Sequence, residues 1–508
     1  MTQKRGEERF RSWEQINEKI GKGDVVVLTA EEFIEAVEQS SLEEAAKTVD
    51  VVTTGTFGAM CSSGAFLNFG HADPPIKIWR CWLNDVPVVG GLAAVDSFIG
   101  ATAISETKGF EYGGGHVIED LVRGKEVQLK AEAYGTDCYP RKYVETIITL
   151  EDLNQAILLN PRNAFQRYNA ATNSTDRTLY TYMGTLLPRF GNVTFSGSGQ
   201  LSPLYKDMNM ETIGIGTRIF LGGGVGYVIG EGTQSNPQNQ MATIMVRGDL
   251  NQMKPKYLRG ATIHKYGVSL YVGVGIPIPI INEKVAASTA LTDNQILTDI
   301  LDYGVPSRDR PVLKRVSYAE LKSGKVEMVG NVVSTSPLSS IKAAKEIAES
   351  LKKWIQEGRF YLSRPAELLP VHREFGGMSI RKAEPLVRDL MTREVVTAKP
   401  TEQLKATASL LVKKGIDHLP IVDDDDVLVG IVTSWDLANA LASDKQALSE
   451  IMTRKVITAS EGDTIDIVVR RMAQNNISGV PVVDQGNRVV GILTTDDISR
   501  KLVGRQSL

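Results

Sequence analysis

The sequence offers three thiols, Cys61, Cys81 and Cys138, and their surroundings differ in kind. Cys138 stands in Tyr134-Gly135-Thr136-Asp137-Cys138-Tyr139-Pro140-Arg141-Lys142, with two cations within loop reach. Nearby cations favour the thiolate, the nucleophilic form, whereas Asp137 works against it. An unperturbed thiol, with a pKa near ~8.5, is only a few per cent ionised at neutral pH. Cys61 follows Thr53-Thr54-Gly55-Thr56-Phe57-Gly58-Ala59-Met60 and precedes Ser62-Ser63-Gly64. Small residues on both sides let backbone N–H groups come close to an anion or a substrate. Cys81, between Arg80 and Trp82 in an apolar run, reads as structural. A sparse, odd set without CxxC spacing is neither a disulfide framework nor a zinc or cluster site, so no metal is expected. The ordinary role of such a cysteine is a small buried hydrophobe. A second polar constellation, Thr433-x-x-Asp436, recurs as Thr494-x-x-Asp497. A carboxylate with two acceptor oxygens suits a vicinal diol. The competing role is a helix N-cap.

Several elements must position these groups. Residues 31–48 carry apolar positions at helical spacing with acidic residues in the first turn, which predicts a helix. Val49–Val52 reads as a short buried strand running into the Cys61 loop. From Ile76 to Thr102 short apolar runs alternate with Gly, Pro and Asp. Residues 180–281, rich in Gly, Thr and β-branched residues, carry turn signals at Gly197-Ser198-Gly199 and Gly222-Gly223-Gly224 and predict several short strands. Residues 338–357 carry the clearest helical pattern, ended by Gly358. The segment that follows, to Glu384, reads as a linker with Pro365, Pro370 and a Gly376-Gly377 pair.

At 508 residues the chain calls for two or three domains. A net charge of -3 without a long basic run argues against nucleic acid or an anionic membrane as partner. The charged start, MTQKRGEERFRSWEQ, lacks the apolar stretch of a signal peptide. The most apolar window, Val268 to Ile281, is broken by Gly273, Gly275, Pro277 and Pro279, short of the roughly 20 apolar residues that span a bilayer. A soluble, cytoplasmic protein is expected.

Beyond the linker the sequence repeats itself. Met391-Thr392-Arg393 recurs as Met452-Thr453-Arg454, Leu419-Pro420-Ile421-Val422-Asp423 as Val480-Pro481-Val482-Val483-Asp484, and Gly430-Ile431-Val432-Thr433 as Gly491-Ile492-Leu493-Thr494, all at one offset. Fixed-offset matching of apolar, turn and polar positions is a strong repeat signal. Each copy reads strand, helix, two short strands, then a helix near the final Asp. That pattern resembles the CBS module in its usual tandem (Bateman) pair. The resemblance implies two copies packed sheet to sheet, with clefts that take an adenosyl ligand. It implies ribose contacts from Asp436 or Asp497, contacts to phosphate or neighbouring polar groups from Thr433 and Thr494, and further contacts from Thr397, Thr458, His418, Pro420 and Pro481.

The segments GTFGAMCSSG, NDVPVVGGLAAVDSFIGAT, YGGGHVIEDLVRGKEV, GTDCYPRK and YGVSLYVGVGIPIPI resemble the homocysteine-biosynthesis family over most of residues 10–360. The resemblance implies L-aspartate semialdehyde sulfurtransferase activity, in which the aldehyde takes up sulfur and two electrons and leaves as L-homocysteine. It implies that Cys138 carries the sulfur as a persulfide and that Cys61 is its redox partner. A Cys61–Cys138 disulfide left by the reaction would be reduced from outside by a small ferredoxin-like iron–sulfur protein. Substrate handling needs a cation for the carboxylate and a polar partner for the amine. Arg141, Lys142 and Arg123 are candidates for the first, Asp96 and Glu119 for the second, and His71 and His116 for acid–base work. Homocysteine precedes methionine and S-adenosylmethionine, so S-adenosylmethionine or methylthioadenosine is expected at the CBS pair ahead of AMP or ATP.

The expected architecture is α+β. A mixed α/β catalytic domain (1–365) with a β-rich second half is followed by a linker (366–384) and two CBS copies (385–445 and 446–508), in a homodimer. An IMP-dehydrogenase-like enzyme is disfavoured because residues 180–281 lack βα alternation. A Rossmann reading of Gly222-Gly223-Gly224-Val225-Gly226 lacks the required spacing. A non-catalytic sulfur carrier or adenosyl-ligand sensor is the remaining alternative.

Overall fold

The structure is a computed structural model that describes residues 10–373, 375, 376, 378, 385–440, 443 and 445–503. The chain divides into two compact units after Gly376. The strands that position the site in the first unit are β1 (Thr56–Ala59), β2 (Gly64–Asn68), β3 (Arg80–Leu83), β4 (Asp96–Gly100), β5 (Val127–Glu132), β6 (Tyr143–Ile148), β7 (Gln155–Asn163) and β8 (Gly267–Gly275).

A nine-stranded sheet runs from Leu258–Ile263 through β8, Arg218–Leu221, Gly224–Glu231, Ile244–Asp249, β7 and β2 to β4, and β1 also pairs with β8. Its neighbours are antiparallel throughout. A four-stranded sheet joins β6, β5, β3 and Val86–Val88. A six-stranded mixed sheet is built from 170–172, 193–195 and four strands between 297 and 337. The apolar window 268–281 thus becomes β8 and Pro277–Pro279, two strands in different sheets. No helix among the described residues is long and apolar enough to cross a membrane.

The helix Ile341–Gln356 starts at Ser340, whose side chain accepts from the Ala343 N–H, and buries Ala344, Ile347, Ala348, Leu351 and Ile355. That spacing is one face of a helix. Ile347 lies on the glycines of β8, where a Cβ at Gly273 or Gly275 would meet its side chain at 2.9 Å. The helical pattern over 31–48 resolves into two helices, Ala30–Gln39 and Leu42–Thr48. The break falls at Ser40-Ser41 because Ser41 leaves helical geometry and caps the second helix through the Glu44 N–H. The segment expected as a linker begins on the first unit: Glu367–Leu368 pairs with Gly214–Ile215, Arg373 bonds Glu231, and Leu369 is buried.

In the second unit each repeat has a helix (Leu404–Lys414; Ile465–Gln474), a hairpin (His418–Val422 with Leu428–Thr433; Gly479–Val483 with Val489–Thr494) and a closing helix (Ser434–Ala440; Thr495–Val503). The opening strand expected in each copy shrinks to a single parallel bridge, Ala398↔Ile421 and Ala459↔Val482. The reason is that the segment ahead of each bridge pairs with the other copy. Thr392 bridges Ile492 and Thr453 bridges Ile431. Val387, Leu390 and Met391 accordingly sit in the second copy's core, and Leu448 and Met452 in the first copy's.

Candidate active site and nucleotide cleft

Cys61 sits in the turn between β1 and β2, held on both flanks. The Met60 N–H donates to the Leu270 carbonyl on β8, and the Ala101 N–H beyond β4 donates to the Ser63 carbonyl. Gly64 lets β2 approach β4 closely, since a Cβ there would meet the Phe98 ring at 2.2 Å. The buried Asn160 carboxamide locks the loop. It donates to Ser63 Oγ at 2.8 Å and accepts at Oδ1 from Ser62 Oγ and the Arg162 N–H, each at 2.8 Å. The half-buried thiol of Cys61 lies 3.1 Å from Ser269 Oγ.

The thiol opens on a cavity of about 460 Å³ lined by Met60, Ser62, Thr102, Arg162, Phe165, Tyr168, Tyr182, Met183, Ser196 and Tyr266, among others. Arg162 is the charged member of the lining; its Nε donates to Thr233 Oγ1 at 3.0 Å, and among the described residues no carboxylate pairs with it. Tyr182 and Tyr303 share a hydrogen bond of 2.7 Å. Burial, and secondarily the Cys61 charge, raises the Tyr266 and Tyr271 pKa values, and burial also raises that of Tyr168. These phenols are therefore neutral donors at physiological pH. The cavity can seat a small anionic molecule against a thiol and offer hydroxyl donors to an oxygen that gains charge.

Cys138 is elsewhere. It lies exposed at the tip of the β5–β6 hairpin, with its thiol 3.5 Å from Thr136 Oγ1. Tyr139 stacks on His71 at 5.5 Å, and the Arg141 side chain donates to the carbonyls of Asp73 and Pro74. Arg141 is thus committed to the loop it braces. Lys142 lays its stem against Gly135. The hairpin lies beyond the Asn68 end of β2, because Trp79 N–H donates to Glu132, Ile78 N–H to Ala94 and Phe69 N–H to Val95. Cys61 precedes the Gly64 end. With a strand rise of about 3.3 Å per residue, β2 alone separates the two by roughly 13 Å. A disulfide needs Cα atoms within about 7 Å. Within one chain the structure does not bring the two thiols together.

The other candidates also lie outside the Cys61 cavity. Arg123 pairs with Glu119 at 2.7 Å, whose other oxygen accepts from Gly260, and Asp96 accepts from Asn68 at 2.9 Å at the far end of β2. His116 Nδ1 accepts from the Gly113 N–H, and burial lowers its pKa. Cys81 is in the core, where burial pushes its thiol up to about 12. Sequence reasoning missed Arg162, Asn160 and the tyrosines. The only local signal is Asn160-Pro161-Arg162, where the register of β7 shifts.

In the second unit a cavity of about 710 Å³ is lined by His418, Thr433, Asp436, Asp417, Lys455, Asn475, Asn476 and Ser478, among others. Thr433 caps the closing helix and Asp436 completes the box: its Oδ2 accepts from Thr433 N at 2.8 Å and Oγ1 at 2.6 Å. Among the described residues Oδ1 of Asp436 has no protein partner, which leaves one carboxylate oxygen for a ligand. Asp497 caps against Thr494 in the same way, but its Oδ1 accepts from Thr392 Oγ1 at 3.1 Å. His418, whose pKa burial lowers, is 3.1 Å from Ser478 Oγ. Thr397, Pro420, Thr458, Pro481, Thr494 and Asp497 do not line this cavity. Pro420 and Pro481 are buried in their hairpins, and their carbonyls accept from Ala398 and Ala459.

A thiol-bearing cavity in a β-rich α+β domain, followed by a swapped pair of repeats with a carboxylate cleft, defines an enzyme-like unit with a small-molecule binding module. Comparison with known proteins identifies both. The chain belongs to the homocysteine biosynthesis enzyme, sulfur-incorporation family, which matches residues 25–362, and CBS domains match 387–443 and 448–504. An L-aspartate semialdehyde sulfurtransferase of Methanosarcina acetivorans is 52% identical over 496 residues, 97% of this chain and 99% of that protein. One of Methanocaldococcus jannaschii is 54% identical over 512 residues, 98% of this chain and all of that protein. A crystal structure of a CBS domain pair in complex with 5′-methylthioadenosine and S-adenosyl-L-methionine is 50% identical, covers 24% of this chain and 99% of that one, and has a TM-score of 0.24.

Proposed function

We propose that this chain converts L-aspartate semialdehyde to L-homocysteine in the cytoplasm, with residues 1–365 catalytic and the two CBS copies, 385–445 and 446–508, as its sensor. The observation that carries the reading is the Cys61 thiol opening on a cavity whose charged member is Arg162. Arg162 suits the substrate carboxylate. The Tyr182 and Tyr266 hydroxyls suit the aldehyde oxygen as it gains negative charge.

The balance fixes what each thiol must do. Aldehyde, hydrogen sulfide, two electrons and two protons give the thiol and water. A persulfide sulfur is two electrons more oxidised than sulfide. Cys138 takes that sulfur from a persulfide donor, whose own thiol leaves, so that four electrons rather than two reach the product. The outer atom of the Cys138 persulfide then adds to the aldehyde carbon. Cys61 then attacks the Cys138 sulfur, so the pair becomes a disulfide and the sulfur bound to substrate leaves as a thiol. Loss of water and a gain of two further electrons and two protons complete the product. A ferredoxin-like iron–sulfur protein supplies these electrons and re-reduces the disulfide.

The CBS cleft is read as an S-adenosylmethionine site in a homodimer. Asp436 has an oxygen for the ribose diol, Lys455 suits the amino-acid carboxylate, and Asp417 suits the ammonium group. Methylthioadenosine has the diol but neither charge, so Lys455→Gln should weaken only the first ligand. Calorimetry that finds AMP or ATP binding and neither sulfur compound would reject the feedback role.

For the catalytic reading, full-length protein with a small-molecule persulfide, a low-potential reductant and the aldehyde should yield homocysteine, and Cys138→Ser should not. The exposure of Cys138 favours one second reading, a non-catalytic sulfur carrier. That reading predicts a persulfide at Cys138 and no turnover of the aldehyde.

A further inference from the structure

We infer that the Cys61 cavity is completed by Cys138 of a second copy of this chain, the β5–β6 hairpin tip of each copy entering the cavity of the other. The inference rests on the two-thiol reading above. That chemistry needs two thiols in contact, and the cavity has one. Cys81 cannot serve, being sealed in the core. Cys138 of the same chain lies past the opposite end of β2, held there by Tyr139 on His71 and by Arg141 on the carbonyls of Asp73 and Pro74.

The hairpin tip has the character of an inserting element. Tyr134, 65% exposed, stacks on Trp79, 42% exposed, at 4.7 Å, and the exposed Val89 and Leu92 belong to the loop against Trp79. Apolar groups gathered this way on a surface mark a contact site. The mouth they would meet includes the exposed Tyr266, and about 460 Å³ accommodates a four-carbon substrate beside an incoming thiol. A two-fold arrangement uses each surface twice and leaves no cavity unfilled.

In the transfer step the Cys61 thiolate attacks the sulfur of the second copy's Cys138. The bond between that sulfur and the substrate's sulfur breaks, and its electron pair leaves on the substrate sulfur, which takes up a proton. The two cysteines are oxidised together to an interchain disulfide, and the sulfane sulfur is reduced to a thiol by the same two electrons. The iron–sulfur donor then returns two electrons and two protons to the disulfide.

The test co-expresses two full-length variants, Cys61→Ser and Cys138→Ser, with different affinity tags and purifies the mixed oligomer through both. Each variant alone should be inactive with aldehyde, a small-molecule persulfide and reductant. The mixed dimer, with one of two sites intact, should recover roughly half the wild-type rate. In wild type, one turnover without fresh reductant should give a disulfide-linked species of twice the 55.5 kDa chain mass on a non-reducing gel, and Cys138→Ser should give none. If both variants are inactive and the mixed oligomer is also inactive, or none forms, the partnership between copies is wrong while the two-thiol reading stands. If either variant alone keeps full turnover, that reading falls and this inference with it.

Discussion

The two cysteine regions are built to opposite rules. Around Cys61 every flanking group is spoken for: Asn160 clamps Ser62, Ser63 and Arg162, and β1, β2 and β8 fix the turn. Around Cys138 the chain turns back on itself at an exposed tip, and the thiol touches little beyond Thr136. The difference teaches that reactivity is divided. One thiol is held at a fixed address beside the cavity proposed for the substrate, and the other is exposed, as the proposed loading of sulfur from a donor requires.

The largest expected effect is loss of either thiol. Cys61→Ser and Cys138→Ser should each lower homocysteine formation by about 10⁴-fold or more. Only Cys138→Ser should abolish persulfide labelling. Loss of labelling in Cys61→Ser alone would reverse the roles assigned to the two sites. Next is Cys81. Burial pushes its thiol up to about 12 and seals it from reagent, so at pH 8 its alkylation in the folded protein should fall far behind that of the exposed Cys138. Its reactivity should rise only as pH climbs toward 12, as peptide mapping across a pH series would read. Arg162→Gln comes third. Loss of a charge-assisted contact of about 1.5–3 kcal/mol should raise KM for the aldehyde about 10- to 100-fold and leave Cys138 persulfide loading unchanged. The smallest is Asn160→Ala, which removes the clamp and should speed Cys61 alkylation about 5- to 30-fold with Cys138 unaffected. An equal rise at both thiols would mean that the whole unit had loosened.

The sequence made one side of this comparison easier to read than the other. Cys61 and Cys138 stand in conspicuous loops, and the duplicated tail repeats without a gap, so both were visible as patterns. Arg162 and Asn160 were not. They lie in β7, remote in sequence from Cys61, and reach it only because antiparallel pairing sets Leu159 opposite Gly64. Local spacing does not carry that register. Arg141 misled for a related reason: a cation three residues from a thiol looks like an activator, but its donors are taken by two backbone carbonyls. In the repeats Asp436 lines the cleft and Asp497 does not, yet the opening strands dissolved, because strand propensity could not reveal that these segments pair with the other copy.

That exchange between copies has a consequence for how the second unit is made. Val387, Leu390 and Met391 belong to a core whose other walls are Val480, Val482 and Leu493, and Thr392 pairs with Ile492. The opening residues of the unit therefore leave the ribosome without their partners. At ~5–20 residues per second, about a hundred more residues take roughly 5–20 s to follow. Neither copy can settle stepwise as it emerges, so the pair must close in one concerted event after nearly the whole unit has been synthesised. A stop codon between the copies would then leave a first copy without Leu448 and Met452, and an apolar segment around Val387 and Met391 open to aggregation.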